Sequence, residues 1–476
     1  MSNNGETEAW VEYLKQKLEC LGGKEKSKEP PATIHRVPHI IRRGNDDAYE
    51  PEIVSIGPYH RRNERVQAME THKWQYLHSF SSRSGHLSLE EHFIPKALEL
   101  KNRAQKCYSS DISFMEDKEF VEMLILDSCF ILELFQKFHD RGKKVITETD
   151  PIFGHCTQWV VRCVARDLLL AENQLPFFVL QSFAKQGKLQ PSVTDLAMNF
   201  FKSLYLAIDQ TNSSLPPGEV AQKDFSCDDN ESHLHHLLHL VHTHFVPPKP
   251  QNRAKSGSKK NHLIASNSLL PSFNKREETQ FQAPLHPHAP LPTVPRAQRL
   301  QDSGITFKKG RGKNFLDIKF EEGVMEIPHL VVDHYTNTFL RNLIAFEQSY
   351  PCSGKCFTMY AAFMDFVVNT DKDVEILHQH GILDHGLGSE QDIALLFNEI
   401  CKGLIVEPED EDKYLLIVQD VIRYSNIPWN QWRAKLNRDY FGNPWAIISM
   451  TAAVVALSLT FVNSFFSIYR YYHPTP

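Results

Sequence analysis

Apolar side chains recur every three to four residues along most of this chain, which is the periodicity of amphipathic α-helices. Two stretches, 119–138 and 158–183, are apolar on almost every face and predict helices that are buried on all sides. Helical periodicity also occupies several shorter stretches: 6–21, 193–208, 231–245, 335–349, 360–370, 391–405 and 414–424. The pattern therefore predicts a mainly α-helical protein built around two central core helices.

Strict alternation of apolar and polar residues, which is typical of β-strands, is confined to one place. Residues 316–320 alternate, Gly323 supplies a turn, and apolar residues return at alternating positions over 325–327. The sequence predicts one minor β-hairpin in a large multi-helix globular domain.

The C-terminal region has a different pattern, because no charged residue occurs between Asp439 and Arg470. The apolar stretch 445–468 would reach about 36 Å as a helix, which exceeds the roughly 30 Å hydrocarbon core of a membrane. Trp445 and Tyr469 flank it where interfacial aromatic residues are expected. A buried core helix is the alternative, but such helices rarely continue for so long without a charge. We therefore predict one C-terminal transmembrane helix.

The charged flanks of this helix predict its orientation. Arg433, Lys435 and Arg438 precede it, whereas Arg470 alone follows. Positive charge favours the cytosolic side, and the polar, acidic N-terminus lacks the features of a secretory signal. We expect a single-pass membrane protein with the bulk of the chain in the cytosol and the short tail 469–476 across the membrane.

Composition divides the remainder of the chain. Nine prolines, with eight Lys or Arg against two Glu, predict a disordered basic insertion over 247–296, which is either a solvated linker or a contact for anionic lipid or an acidic partner. The predicted segments are 1–33 (N-terminal helix and linker), 34–246 (helical domain, first part), 247–296 (insertion), 297–442 (helical domain, second part), 445–468 (transmembrane helix) and 469–476 (tail).

Charge and cysteine usage exclude some classes of function. Lys and Arg number 52 against 58 Asp and Glu, a net charge of -6, so no nucleic-acid partner is expected. The nine cysteines have no regular spacing and predict reduced thiols. Cys352 and Cys356 resemble half of a zinc site, but no second cysteine pair follows at a suitable distance.

A histidine cluster is the strongest candidate for a metal site. Six histidines lie within 233–244, and His235, His239 and His242 would share one face of a helix, where three imidazoles could bind zinc. The alternative is a core helix whose apolar stripe faces inward and whose imidazoles line its polar edge. We expect the structural role, because no glutamate occupies the metalloprotease position.

Three carboxylates in apolar surroundings, Glu133, Glu172 and Glu347, are candidates for general acid or base chemistry. They would equally satisfy backbone groups at helix ends or pair with buried cations. Arg162, Arg166 and Arg341 are the expected cations. Nucleophile elbows, phosphate loops and dinucleotide fingerprints are absent from the sequence. The sequence therefore predicts no catalytic residue, no cofactor and no metal ligand.

Several motifs, in matching order and spacing, strongly resemble the plant family called domain of unknown function 247. They lie at 34–38, 49–60, 130–135, 172–180, 336–348 and 443–446, and the resemblance covers about 34–468. Asp127-Ser128-Cys129 departs from the usual Asp-Gly of the family, and the insertion is long. The resemblance implies a land-plant origin, a mainly helical domain, a single C-terminal membrane helix and no established catalytic residues.

Some grass members of that family are associated with self-incompatibility recognition in pollen. The expected function is therefore recognition or signalling at a membrane through protein–protein contacts, with a self-incompatibility-like role as its narrowest form. The expected partners are the lipid bilayer and an unidentified protein. The competing hypothesis is a membrane-tethered enzyme of unassigned chemistry, which would show a cleft where carboxylates or histidines converge, whereas a recognition module would show an exposed apolar or charged patch.

Overall fold

The computed structural model describes residues 10–15, 17, 32–110, 112–141, 150–154, 158–205, 234–246, 294–312, 314–404, 406, 413–436, 438 and 444–472. The predicted disorder of 247–296 lies outside these residues except at 294–296. The predicted start of the first helix at residue 6 and its end at 21 also lie outside them.

The described residues form a mainly helical fold. Its α-helices are α1 (residues 10–15 and 17), α2 (His39–Arg42), α3 (Gln67–Arg83), α4 (Ile94–Gln105), α5 (Asp117–His139), α6 (Gln158–Asp167), α7 (Phe177–Gln186), α8 (Val193–Tyr205), α9 (Leu237–Phe245), α10 (Ala297–Asp302), α11 (His334–Ser349), α12 (Cys356–Val367), α13 (Asp371–Gln379), α14 (Glu390–Ile400), α15 (Lys413–Ser425), α16 (Pro428–Leu436) and α17 (Pro444–Tyr472). Short strands are β1 (Thr306–Gly310), β2 (Lys319–Glu321), β3 (Val324–Pro328), β4 (Leu330–Val332) and β5 (Leu383–His385). The predicted mainly α fold class is confirmed.

Helix α5 is the centre of the first half of the fold. Every residue from Met123 to Phe135 is buried, and α3, α4, α7 and α8 pack around it. This confirms the expectation drawn from its apolar pattern, since a helix that is apolar all round is stable only when neighbours cover every face.

Helix α11 organises the second half and joins it to the first. Its N-terminus carries a capping box in which Asp333 and Thr336 satisfy each other's backbone N–H groups. The helix contacts α9, α12 and α14. Beside it, the ring of Phe245 on α9 meets the ring of Phe357 on α12, with 5.9 Å between their centroids. One continuous hydrophobic core therefore contains residues from both 34–246 and 297–442.

The predicted hairpin is present, but it is shorter than expected. Strands β2 and β3 pair antiparallel, and Glu322 and Gly323 turn the chain with positive φ angles of 48° and 82°. Two left-handed residues in succession suit the right-handed twist of a two-residue hairpin loop. Strand β2, the first strand of the hairpin, begins at Lys319 rather than at 316. Leu316 is buried, and its carbonyl accepts a hydrogen bond from the Tyr414 hydroxyl instead of from a neighbouring strand.

Two parallel pairings extend this small amount of β-structure. Strand β1 pairs with β3, and β4 pairs with β5. Neither β1, β4 nor β5 was predicted, because their partners lie far along the chain and their own alternation is short.

The prediction of a single helix over 158–183 is wrong in one respect, because the structure has two helices there. α6 ends at Asp167, α7 begins at Phe177, and the chain between them is not helical. Pro176 precedes α7, and polar side chains within the break bond to the backbone of other segments rather than projecting from a helix. The helix predicted over 231–245 likewise begins at Leu237, while 231–233 lie outside the described residues.

The C-terminal helix α17 is long and apolar, as predicted. Its stretch Ile447–Tyr469 is 23 residues long with a mean hydropathy of 1.8, and none of it is buried by the rest of the protein. A soluble core helix of this composition would be mostly covered. The exposed apolar surface has the length and composition needed to cross a membrane.

Candidate functional site

The three candidate carboxylates lie in three separate places, each bound to polar groups of the fold. Glu133 accepts hydrogen bonds from the Ser79 hydroxyl and, in a bidentate pair, from the Arg83 guanidinium. Glu347 accepts the backbone N–H groups of Phe357 and Thr358 at the start of α12. These contacts satisfy buried polar groups. Glu347 satisfies backbone groups at a helix end, which is one of the two expected roles, whereas Glu133 pairs with Arg83 rather than with Arg162, Arg166 or Arg341.

The predicted cations have other partners. Arg166 pairs with its neighbour Asp167 at 2.9 Å, and Arg341 donates to the side chain of Asn337. The side chain of Arg166 also donates to the backbone carbonyls of Asp47 and Glu50. Arg166 therefore fixes a segment of non-helical backbone instead of a candidate catalytic carboxylate.

Residues 47–60 leave a short 3₁₀ helix, Asp46–Tyr49, and then cross the interior as neither helix nor strand. The N–H groups at Glu52, Ile53 and Val54 all donate to the carboxylate of Asp167, at 2.7–3.1 Å. Burial raises the pKa of Asp167 to about 6, although Arg166 and the three N–H groups favour its charged form. One carboxylate thus supplies the acceptors that the carbonyl groups of a neighbouring β-strand would otherwise provide.

Further buried side chains continue this pattern along the segment. Asn173 accepts from the N–H of Ile56 and donates to the carbonyl of Val54, and Asp127 accepts from the N–H of Gly57. We call the side chains that hold segment 47–60 the polar clasp, and its members are Lys73, Asp127, Arg166, Asp167, Asn173 and Asn342.

A buried ion pair completes the polar clasp. The ammonium of Lys73 lies 2.6 Å from the Asp127 carboxylate and donates to the carbonyl of Ser55, also at 2.6 Å. Neither side chain of the pair reaches solvent. Lys73 also pairs with Glu70 at 2.5 Å, so loss of Lys73 would leave the buried Asp127 carboxylate without its cation.

Gly57 lies at the point where the segment passes closest to the break between α6 and α7. Its φ is +76°, and a Cβ built on it would lie 2.5 Å from the carbonyl oxygen of Gln174. Only glycine fits this backbone conformation and this approach.

A second convergence of titratable groups surrounds Glu172. Its carboxylate accepts from the N–H of Val37 and pairs with Arg42, while its second oxygen lies 3.6 Å from the ring of His60. The other ring nitrogen of His60 contacts Glu50, and this hydrogen bond, together with Arg42, lowers the pKa of Glu50 to about 2. Both carboxylates are paired with a guanidinium, so the group is organised as a salt-bridge network.

The predicted histidine face is not formed by one helix, because α9 begins at Leu237 and His235 precedes it, although the rings of His235 and His239 stack at 4.8 Å between centroids. His236 caps the helix by accepting from the N–H of His239, and His242 contacts Glu347 at 2.9 Å. Burial lowers the pKa of His239 to about 3, and nearby His235 and His242 lower it further. His236 and His242 are buried in the core rather than aligned on a polar edge.

Neither candidate metal site gathers a ligand set in the part of the chain that the structure describes. That part contains no group of three His, Cys, Asp or Glu side chains arranged to hold a metal ion. Cys352 is an exposed free thiol, and Cys356 is partly buried at the start of α12.

An open apolar groove is the principal surface feature that the sequence analysis missed. It has a volume of about 400 Å³ and lies between α3, α4 and α5. Its deeper lining is Leu77, Val121, Ile125 and Leu126, its exposed apolar edge is Trp74, Leu89, Ile94 and Leu98, and its charged edge is Lys101, Asp117, Lys118 and Glu122. Four large apolar side chains at one exposed edge are typical of a binding surface.

Helix α4 contains the signal that would have revealed this groove. Its inner face buries Ala97, Leu100 and Ala104, while Ile94 and Leu98 form a second apolar stripe on an exposed face. A short surface helix needs only one apolar stripe to join a core, so the second stripe is available for a partner.

We predict that Gly57→Ala destabilises the protein more than Gly85→Ala does. Both glycines have a left-handed φ, which costs any other residue about 1–2 kcal/mol, but no atom lies within 4 Å of a Cβ at Gly85. The close approach at Gly57 should add about 1 to 3 kcal/mol. Denaturant unfolding of the full chain in detergent measures the difference, and equal losses would show that the backbone at Gln174 moves away from the added Cβ without a measurable cost.

We also predict that His239 contributes to acid sensitivity. Its pKa is about 3 in the fold against an ordinary 6.5, so unfolding takes up a proton between these values and stability falls as the pH falls from about 6.5 towards 3. In His239→Gln the slope of unfolding free energy against pH should be smaller by about 1.4 kcal/mol per pH unit over that range. Exposed His39→Gln is the control, and an unchanged slope in His239→Gln would contradict the prediction.

The polar clasp and the groove both lie within residues that match a known family. The model of that family, described as a plant protein of unknown function and called domain of unknown function 247, covers residues 34–459. A UPF0481 protein of Arabidopsis thaliana is 29% identical over 445 residues, which cover 92% of this chain and 86% of the relative. A putative UPF0481 protein of the same plant is 23% identical over 516 residues, covering 96% of this chain and 94% of the relative.

No solved structure matches this chain. The family model nevertheless spans the whole folded body, from the bridge at Ile34 to the first half of α17, and it includes every motif on which the resemblance was based. The chain therefore belongs to the plant family of domain of unknown function 247.

Proposed function

We propose that this protein is a membrane-anchored recognition module that acts through protein–protein contacts, in recognition or signalling. The observation that carries the proposal is the apolar groove between α3, α4 and α5. An exposed apolar surface with charged edges is what a recognition module needs, whereas an enzyme needs convergent reactive groups. The carboxylates Glu133, Glu172 and Glu347 are instead bound to arginines or backbone groups in separate places.

The form of the groove favours a helical partner. A cleft with an apolar interior between helices accepts the apolar face of an amphipathic helix. Its charged edge carries both signs, with Lys101 paired to Asp117 at 2.6 Å and Glu122 paired to Arg61 at 3.1 Å. We therefore expect a partner with a narrow apolar stripe and mixed flanking charges. A self-incompatibility-like partner would be the narrowest form of this proposal.

Membrane anchoring by α17 is the second part of the proposal. Removing its exposed apolar surface from water is strongly favourable, at roughly 25 cal/mol per Å². Trp445 and Tyr472, near its two ends, are both largely exposed, as suits residues at the membrane interfaces. The excess of Arg and Lys before α17 favours a cytosolic location for the folded body.

The anchor is tested by extraction of the full chain from its native membranes. Carbonate or high salt should leave the protein in the membrane fraction, because those treatments remove only peripheral proteins. Truncation before Asn443 should release it into the soluble fraction. Complete extraction of the full chain by carbonate would refute the anchor.

The groove is tested by charge insertion. Leu98→Asp should abolish capture of a partner by crosslinking in native tissue, because a carboxylate cannot be buried unpaired under an apolar helix face. Leu395→Asp is the matched control, since Leu395 is about as exposed as Leu98 but lies on α14, away from the groove. Equal capture by both variants would mean that recognition does not use the groove. A small-molecule turnover that survives Leu98→Asp would instead favour the membrane-tethered enzyme.

A further inference from the structure

Helix α16, Pro428–Leu436, exposes a band of large apolar side chains just before the membrane helix. Trp429 and Trp432 are 68% and 66% exposed, and Leu436 is 50% exposed. No residue of the helix is buried. Two tryptophans on one short helix are a large apolar surface to leave in water, since each buries about 150–250 Å² when covered.

The orientation of α16 on the folded body is fixed by its opposite face. The backbone of Asn430 and the Cβ of Ala434 lie against Gly304, where a Cβ would meet them at 3.1 and 3.4 Å. Asn430 also donates to the carbonyl of Tyr424, and Gln431 donates to that of Ser425. The helix is therefore held to the body by one side.

At 100° per residue, the exposed band is diametrically opposite this attached side. Taking Asn430 as 0°, Ala434 lies at about 40°, and Trp432, Leu436 and Trp429 lie between about 200° and 260°. Arg433 and Lys435 are exposed on the two flanks of this band. An apolar band between basic side chains is the arrangement of helices that lie in the membrane interface.

The band cannot be far from the membrane that α17 spans. Arg438 is ion-paired with Asp302 of α10, so the chain is tied to the folded body at that residue. Six residue steps separate Arg438 from Pro444, the first residue of α17. Even fully extended they reach only about 22 Å.

We propose that α16 is an interfacial membrane-binding helix: Trp429, Trp432 and Leu436 enter the headgroup region of the membrane that α17 spans, and Arg433 and Lys435 contact anionic lipid. This inference rests on the proposed anchoring by α17 and adds a second, separate contact with the lipid. Because α16 is rigidly attached to the body, its insertion fixes which side of the folded domain faces the membrane. The cytosolic leaflet is the anionic one, which agrees with the predicted orientation.

The test uses the full chain reconstituted into phosphatidylcholine vesicles, with and without phosphatidylserine. The quencher is phosphatidylcholine brominated at the headgroup end of its acyl chains, and the signal is tryptophan emission. Trp429→Phe/Trp432→Phe, Trp445→Phe and Trp159→Phe are compared with the unchanged protein. Trp159 is the matched control, because it is 59% exposed but lies on α6, remote in sequence from the anchor.

The double variant should lose emission that the brominated lipid quenches, and Trp159→Phe should lose emission that it does not quench. Quenching at the two α16 tryptophans should increase with phosphatidylserine, and Arg433→Gln/Lys435→Gln should remove that increase.

The outcomes separate this inference from the anchor itself. If Trp445 is quenched while Trp429 and Trp432 are not, the anchor stands and the interfacial helix is refuted. If Trp445 is not quenched either, the anchor fails as well. If iodide in solution quenches Trp429 and Trp432 in vesicles as strongly as it quenches the exposed Trp159, their surface remains open to water and would be free to bind a protein, which overturns the proposal.

Discussion

The structure depends on satisfying the backbone of one largely irregular segment inside a helical protein. Residues 47–60 cross the interior without a neighbouring strand, so their N–H and carbonyl groups need side-chain partners. An unpaired buried backbone group costs about 1–3 kcal/mol, and several in succession would exceed the stability of most domains. The polar clasp supplies those partners, with the Asp167 carboxylate alone accepting three N–H groups.

The same constraint explains why the clasp draws on distant parts of the chain. Asn342 on α11 donates to the carbonyl of Ala48 and accepts from the N–H of Ala171, so it joins both halves of the fold through the segment. Lys73 and Asp127 bring α3 and α5 to the same place. Two members of the polar clasp, Asn173 and Asn342, lie in the motifs that carry the family resemblance, and the segment itself contains a third motif, 49–60. Their chemistry is that of buried hydrogen bonding, although carboxylates and amides in a motif also suggest catalysis.

A rigid interior of this kind leaves the outer surfaces to interact with other molecules. The groove between α3, α4 and α5, the band on α16 and the whole of α17 are apolar surfaces that no other described part of the fold covers. The last two adjoin along the chain, and both suit lipid, whereas the groove is an open cleft between helices, a form that suits a helix of a partner protein. Separate surfaces for lipid and for a partner agree with a module that presents a binding site at a membrane.

The sequence by itself determined the features that depend on neighbouring residues. Helix α5 follows from its apolar periodicity, and helix α17 follows from a long stretch without charge. The turn at Gly323 follows from the conformational freedom of glycine. All three signals are local. Tertiary structure decided the rest. The break between α6 and α7 exists because Asn173 and Gln174 find partners in other segments, which no local pattern encodes. The parallel partners of β1 and β5, the start of α9 beyond His235 and the exposure of Trp429 and Leu98 also depend on which distant residues pack nearby. Amphipathic periodicity identifies which apolar residues share one face of a helix. Only the packed fold determines whether another part of the chain covers that face.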